Sequence, residues 1–113
     1  MRNTVSTEEL RRMIETDQPQ LVEVLPRDEY EAEHLPGAIS IPLAEMDKDR
    51  VAELHPNRTV VTYCYDLQCD LSSRAAALLT WFGFRDVVDY AESKVAWLAA
   101  GLPVVESRRT DWW

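Results

Sequence analysis

The chain reads as an α/β domain in which a central, mostly parallel sheet of about five strands is covered by helices on both faces. Short, β-branched apolar runs alternate with helical patterns along its length, a rhythm that lays strands side by side in parallel. Its 113 residues suffice for one hydrophobic core without disulfide or metal staples. A content of 46% hydrophobic and 28% charged residues matches a self-folding globular chain and not a disordered one.

In chain order, Ser6-Thr7-Glu8-Glu9 has the spacing of a capping box, and Leu10, Met13 and Ile14 follow on one helical face to an end near Thr16-Asp17. Gln20 to Leu25, closed by Pro26, suits a buried strand. Arg27 to Glu33 suits two helical turns stopped by Leu35-Pro36-Gly37, with a short strand over Ala38 to Ile41. Leu43, Met46, Val51 and Leu54 follow a helical stripe that His55-Pro56-Asn57 breaks. Thr59 to Tyr63 has the density of a central strand, and Leu71 to Phe82 has strong helix propensity up to Gly83. Val87-Val88 supplies a further strand and Glu92 to Ala100 a further helix. The domain is expected over residues 1–105, with 106–113 a flexible tail ending in Trp112-Trp113.

A formal net charge of −8, from 20 acidic and 12 basic residues, argues against nucleic acid and anionic membranes as partners. No apolar run reaches the ~18 residues of a membrane span, and the N-terminus has no apolar core of a secretory signal, so a cytoplasmic location is expected. In that setting the two cysteines are not expected to serve as a structural staple, since cytosolic disulfides are usually transient and catalytic or redox-sensing.

Cys64 follows the central strand and precedes a helix, so loop amides and the positive end of a helix dipole are expected to converge near its sulfur. Such a setting lowers a thiol pKa from about 8.5 into the range of roughly 3.5–7.5. Two readings stay open on this ground alone: a nucleophile, or a small buried hydrophobe. Cys69 lies five residues on, a spacing compatible with a resolving thiol. Asp70 or Ser72 reads as a helix N-cap, and Asp66 as a turn residue. Arg74 is either an exposed helix arginine or a cation that reaches an anion at the loop mouth. His34 and His55 form no recognised ligand pattern with the cysteines, so neither metal nor cofactor is expected. His34 is expected to order the turn before Pro36, and Glu23, Glu29, Glu31 and Glu33 to form a solvated acidic face.

Several stretches in order resemble the rhodanese-like sulfurtransferase superfamily: Val5 to Leu10; Leu21-Val22-Glu23-Val24 before Asp28-Glu29-Tyr30; and Glu33 to Pro42, which is similar to the family's Gly-His-Ile-Pro-Gly-Ala segment. Val60 to Cys64 is similar to its active-site strand, and Trp97 through Gly101-Leu102-Pro103-Val104 to its last helix. The resemblance implies a rhodanese-like fold in which Cys64 accepts a sulfane sulfur, forms a persulfide and passes the sulfur to a thiophilic acceptor. The partners it implies are a small sulfur donor or a persulfide protein, and a thiol acceptor.

The chain departs from the family where that chemistry sits. It reads Glu23-Val24-Leu25 for Asp-Val-Arg, and Glu33-His34 for Gly-His. In place of Cys-x-x-Gly-x-Arg it has Cys64, then Tyr65, Asp66, Leu67, Gln68, Cys69, Asp70 and Leu71, and only then Ser72-Ser73-Arg74. This loop is about two residues longer than usual and resembles a Cys-x4-Cys subgroup. A phosphatase with a Cys-x5-Arg loop is not expected, since Asp70 stands where the phosphate-clamping arginine would be. Asp66 and Asp70 oppose entry of an anionic donor such as thiosulfate. The alternative reading is a non-catalytic module of the same fold that binds a partner or senses oxidants through Cys64 and Cys69.

Overall fold

Residues 4–106 are described in a computed structural model of the chain. The expected tail lies, Glu106 apart, outside the described residues. Among the described residues five α-helices and four strands follow one another as α1 (Thr7–Thr16), β1 (Gln20–Glu23), α2 (Arg27–Ala32), β2 (Ile39–Ser40), a 3₁₀ turn (Leu43–Glu45), α3 (Lys48–Val51), β3 (Val60–Tyr63), α4 (Leu71–Trp81), β4 (Val87–Tyr90) and α5 (Ser93–Ala99). The strands pair in the order β2-β1-β3-β4, all parallel.

The sheet therefore has four strands among the described residues, not five. Where a fifth could add beside β4, Thr4 makes a single parallel bridge to Asp89, and two residues later Ser6 already caps α1. A second isolated bridge joins His34 to Val105 in antiparallel sense. Ser6 completes the capping box with Glu9, the side chain of each accepting from the other's backbone amide.

Side chains alternate across the sheet, so each face has its own core. On one side Val22, Val24, Val60 and Cys64 pack with Val51 of α3 and with Ala75 and Leu79 of α4. On the other Leu21, Val61 and Tyr63 pack with Leu10 of α1 and Trp97 of α5. The stripe from Leu43 to Leu54 does not run as one helix, because Asp47 adopts an extended conformation and its carboxylate accepts from the Arg50 amide, starting α3 afresh.

The expectation of a solvated acidic face fails at Glu23. It lies on the α5 side of β1 with no solvent exposure, since strands covered on both faces have no wet side. Its carboxylate accepts from Lys94 Nζ at 3.0 Å and from the Tyr63 hydroxyl at 2.9 Å. Lys94 also donates to the Glu29 carbonyl at 3.1 Å, and the Leu35 amide donates to the Tyr63 hydroxyl at 3.1 Å. This buried network clips α5, β1, β3 and α2 together. His34 does order its turn: it is buried, stacks on Tyr30 at 3.8 Å and exchanges both backbone hydrogen bonds with Val105.

Candidate functional site

Cys64 is the first residue past β3, at the carboxyl end of a parallel sheet, where strand-to-helix loops converge and α/β domains place their sites. Its amide donates to Ser93 Oγ at 3.0 Å, and Ser93 donates in turn to the Tyr90 carbonyl at 2.8 Å. The first amides of α5 take up the next carbonyls: Lys94 donates to Cys64 at 3.2 Å and Val95 to Tyr65 at 2.9 Å. The root of the loop is thus held by the start of α5. Ser93 achieves this at φ 62°, a left-handed conformation that costs a non-glycine residue free energy and that its two buried hydrogen bonds offset.

Beyond that root, Tyr65 and Leu67 project into solvent, Leu67 with 72% of its surface exposed. Asp66 folds the loop back, its Oδ1 accepting from the Gln68 amide at 3.0 Å and the Cys69 amide at 3.2 Å. Asp66 is thus the expected turn residue. Its carboxylate also takes two of the amides expected to face the sulfur. The return brings the Cys69 α-carbon to 6.5 Å from that of Cys64, and the two sulfurs are joined in a disulfide.

Asp70 occupies the N-cap position of α4 but makes no side-chain cap, because its backbone is not in the extended conformation a capping residue adopts. Ser72 does not cap either. It lies inside the first turn of α4, buried, with its hydroxyl 3.6 Å from Cys64 Sγ. The Cys69 carbonyl lies 3.4 Å from the same sulfur. Arg74 is exposed, 4.0 Å from Asp70, and lines a cleft of about 400 Å³ with Val24, Pro26, Pro42, Leu43 and Leu71. Val24, Leu43 and Leu71 also belong to the apolar cluster that contains Cys64. A second cleft of about 280 Å³, on the α5 side of the loop, is lined by Asp66, Leu67, Gln68, Glu92 and Val95.

Cys64 has no exposed surface, as a core residue would, and its sulfur meets a hydroxyl, a carbonyl and a second sulfur. The structure brings Cys64, Cys69 and Leu71 together and leaves Tyr65, Leu67, Gln68, Asp70 and Arg74 on the rim. Ser93, Lys94 and Asp89 escaped the sequence reading. Only the position of Ser93 and Lys94 at a helix start could have signalled the first two. Among the described residues no group of three or more His, Cys, Asp or Glu side chains could hold a metal, and no helix is long and apolar enough to cross a membrane.

A parallel sheet with one cysteine at the carboxyl end of its second-to-last strand, on a loop anchored by the following helices, defines an α/β domain built around a cysteine-centred loop. The chain belongs to the Rhodanese-like domain family, which matches residues 6–100. It is similar to the HTH-type transcriptional regulator Rv0324 of Mycobacterium tuberculosis, at 39% identity over 92% of this chain and 45% of that protein. A putative sulfur carrier protein of Bacillus subtilis, YrkF, is 29% identical over 82% of this chain and 49% of its own length. The chain thus spans about half the length of these relatives. Among solved structures, BH2092 of Bacillus halodurans superposes with a TM-score of 0.86 at 24% identity, over 92% of this chain and 77% of that one. The thiosulfate sulfurtransferase of Pseudomonas aeruginosa gives 0.80 at 24% identity, over 95% of this chain and 21% of that one. At such identities the likeness is one of fold.

Proposed function

We propose that this domain transfers sulfane sulfur through a persulfide on Cys64. Membership of the family supports the reaction class, and the placement of the Cys64 sulfur beneath a loop rooted on α5 is the observation that carries the assignment to this residue. With Cys64 reduced, its thiolate attacks the outer sulfur of a neutral donor persulfide R–S–SH. The donor's S–S bond breaks, R–S⁻ leaves, and Cys64 carries S–SH. A thiophilic acceptor then attacks the terminal sulfur and restores the thiolate. Because Asp66 already engages two loop amides and Asp70 adds a second carboxylate at the rim, a neutral or protein-borne persulfide is the preferred donor over thiosulfate.

Mass spectrometry of the reduced protein after incubation with a persulfide donor should show a sulfur-sized increase on the peptide bearing Cys64. Cys64→Ser should lose that increase and all turnover while remaining folded, its hydroxyl being in reach of the Cys69 carbonyl and Ser72. Turnover persisting in Cys64→Ser would refute the mechanism. The disulfide favours a second reading, a redox-sensing module in which oxidation to Cys64–Cys69 is the signal. Rapid disulfide formation in a protein that never acquires sulfur would select that reading.

A further inference from the structure

Hydrogen bonds close the loop between β3 and α4 as well as the covalent bond does. The Cys69 amide donates to the Asp66 carboxylate and to the Asp66 carbonyl, each at 3.2 Å, and the Cys69 side chain packs against the apolar cluster that contains Cys64. The two sulfurs are accordingly bonded, across a Cα separation of 6.5 Å. They differ in access. Cys64 has no exposed surface, whereas Cys69 is half-buried. The atom that Cys69 meets is the Cys64 Sγ itself, which becomes the inner sulfur once Cys64 carries a persulfide.

We propose that, when no acceptor takes the outer sulfur, Cys69 discharges the Cys64 persulfide as hydrosulfide. The domain then has a second activity, the reduction of persulfides to sulfide at the expense of a dithiol. The Cys69 thiolate attacks the inner sulfur of Cys64–S–SH. The bond between Cys64 and Cys69 forms, the S–S bond of the persulfide breaks, and HS⁻ leaves with the hydrogen it already carried. Outside thiols are kept from that inner sulfur because Cys64 lies beneath the loop, while Cys69 loses no translational freedom in reaching it. The disulfide is thus the product of each turnover, and a dithiol resets it. One dithiol sulfur, as thiolate, attacks Cys69, the more accessible partner, and Cys64 leaves as thiolate with the Ser72 hydroxyl 3.6 Å away to donate to it. The second dithiol sulfur then attacks the mixed disulfide and frees Cys69. The net reaction turns R–S–SH and a dithiol into R–SH, hydrogen sulfide and the oxidised dithiol.

The inference rests on Cys64 as the persulfide carrier, and its test tells the two apart. Reduced protein, freed of reductant, is mixed with cysteine persulfide whose outer sulfur is isotopically labelled. Released sulfide is trapped with monobromobimane, and the chain is followed by peptide mapping. In the parent, the sulfur-sized increase on Cys64 should rise and then decay. Labelled sulfide should appear in equal amount as Cys64 and Cys69 become joined with loss of both thiol hydrogens. In Cys69→Ser the increase should persist, and labelled sulfide should fall at least about 10-fold. Cys69→Ala gives the same comparison if the serine variant does not fold. Brief treatment of the oxidised parent with β-mercaptoethanol, followed at once by alkylation, should place mercaptoethanol on Cys69 and the alkyl group on Cys64. A lasting persulfide on Cys64 of the parent, label held on Cys69 as a persulfide, undiminished sulfide from Cys69→Ser, or mercaptoethanol on Cys64 would each overturn the inference while leaving sulfur transfer standing. Cys69→Ser and Cys69→Ala chains that never gain the label on Cys64 would overturn sulfur transfer and this inference with it.

Discussion

At the scale of single residues, the buried charges decide most. Glu23 and Lys94 both lie out of solvent, 3.0 Å apart, and desolvation raises the Glu23 carboxyl even though Lys94 and Tyr63 pull it down. Removing one partner leaves the other without compensation, whereas replacing both removes the desolvation cost as well. In urea unfolding, Glu23→Gln and Lys94→Met should each lose about 3–5 kcal/mol, and the double variant less than the sum. Additive losses would show that the two groups do not act as a pair. Asp89 makes a pH-dependent prediction. Its folded pKa is raised above the ordinary 3.8, so the folded state holds a proton that the unfolded chain has released. Stability from this group therefore falls as pH climbs from 3.8 through the raised value. Asp89→Asn lacks that loss, and its thermal midpoint relative to the parent should rise as the pH is taken from below 3.8 to neutrality.

At the scale of elements, the loop between β3 and α4 has two attachments with different chemistry: its root is held by hydrogen bonds to α5, and its return by the sulfur of Cys69. Mild oxidation should lock the loop and suppress sulfur acquisition until a dithiol is added. Cys69→Ser should stay active without reductant and form Cys64 sulfinate under peroxide. Peptide mapping that finds sulfinate on Cys64 with Cys69 still free in the parent would rule out the resolving role. Much of this scale was legible in the sequence. The capping box at Ser6, the strand ending at Tyr63 and the helix from Leu71 are local patterns, and they form where the residues place them. The helical stripe after Leu43 failed because periodicity does not register Asp47, whose carboxylate restarts the chain. At the site, Cys64 could be read from its position after a strand. Ser72 could not be linked to it, since only the packing of the first turn of α4 against the end of β3 brings its hydroxyl to the sulfur. Ser93 was hidden because a left-handed backbone there signals glycine, not serine. Lys94 and Glu23 were hidden because a charged residue with no visible partner is taken for surface.

At the scale of the whole molecule, the net charge of −8 works in the same direction as the local barrier proposed for Asp66 and Asp70. Initial rates with thiosulfate should therefore rise with ionic strength, while those with an uncharged persulfide stay flat. Equal salt dependence for both donors would mean that the field does not reach the loop. The two margins of the sheet bear on a different matter, that of self-association. β2 is two residues long, and the outer side of β4 is met by Thr4 and by the Val5 amide donating to the Asp89 carbonyl at 3.0 Å. Neither margin offers the long row of open peptide groups on which a second copy could dock strand to strand and seed aggregates. Margins of this kind leave a neighbouring folded unit little exposed strand to pair with, and in the curated relatives the matching region makes up about half of a longer chain.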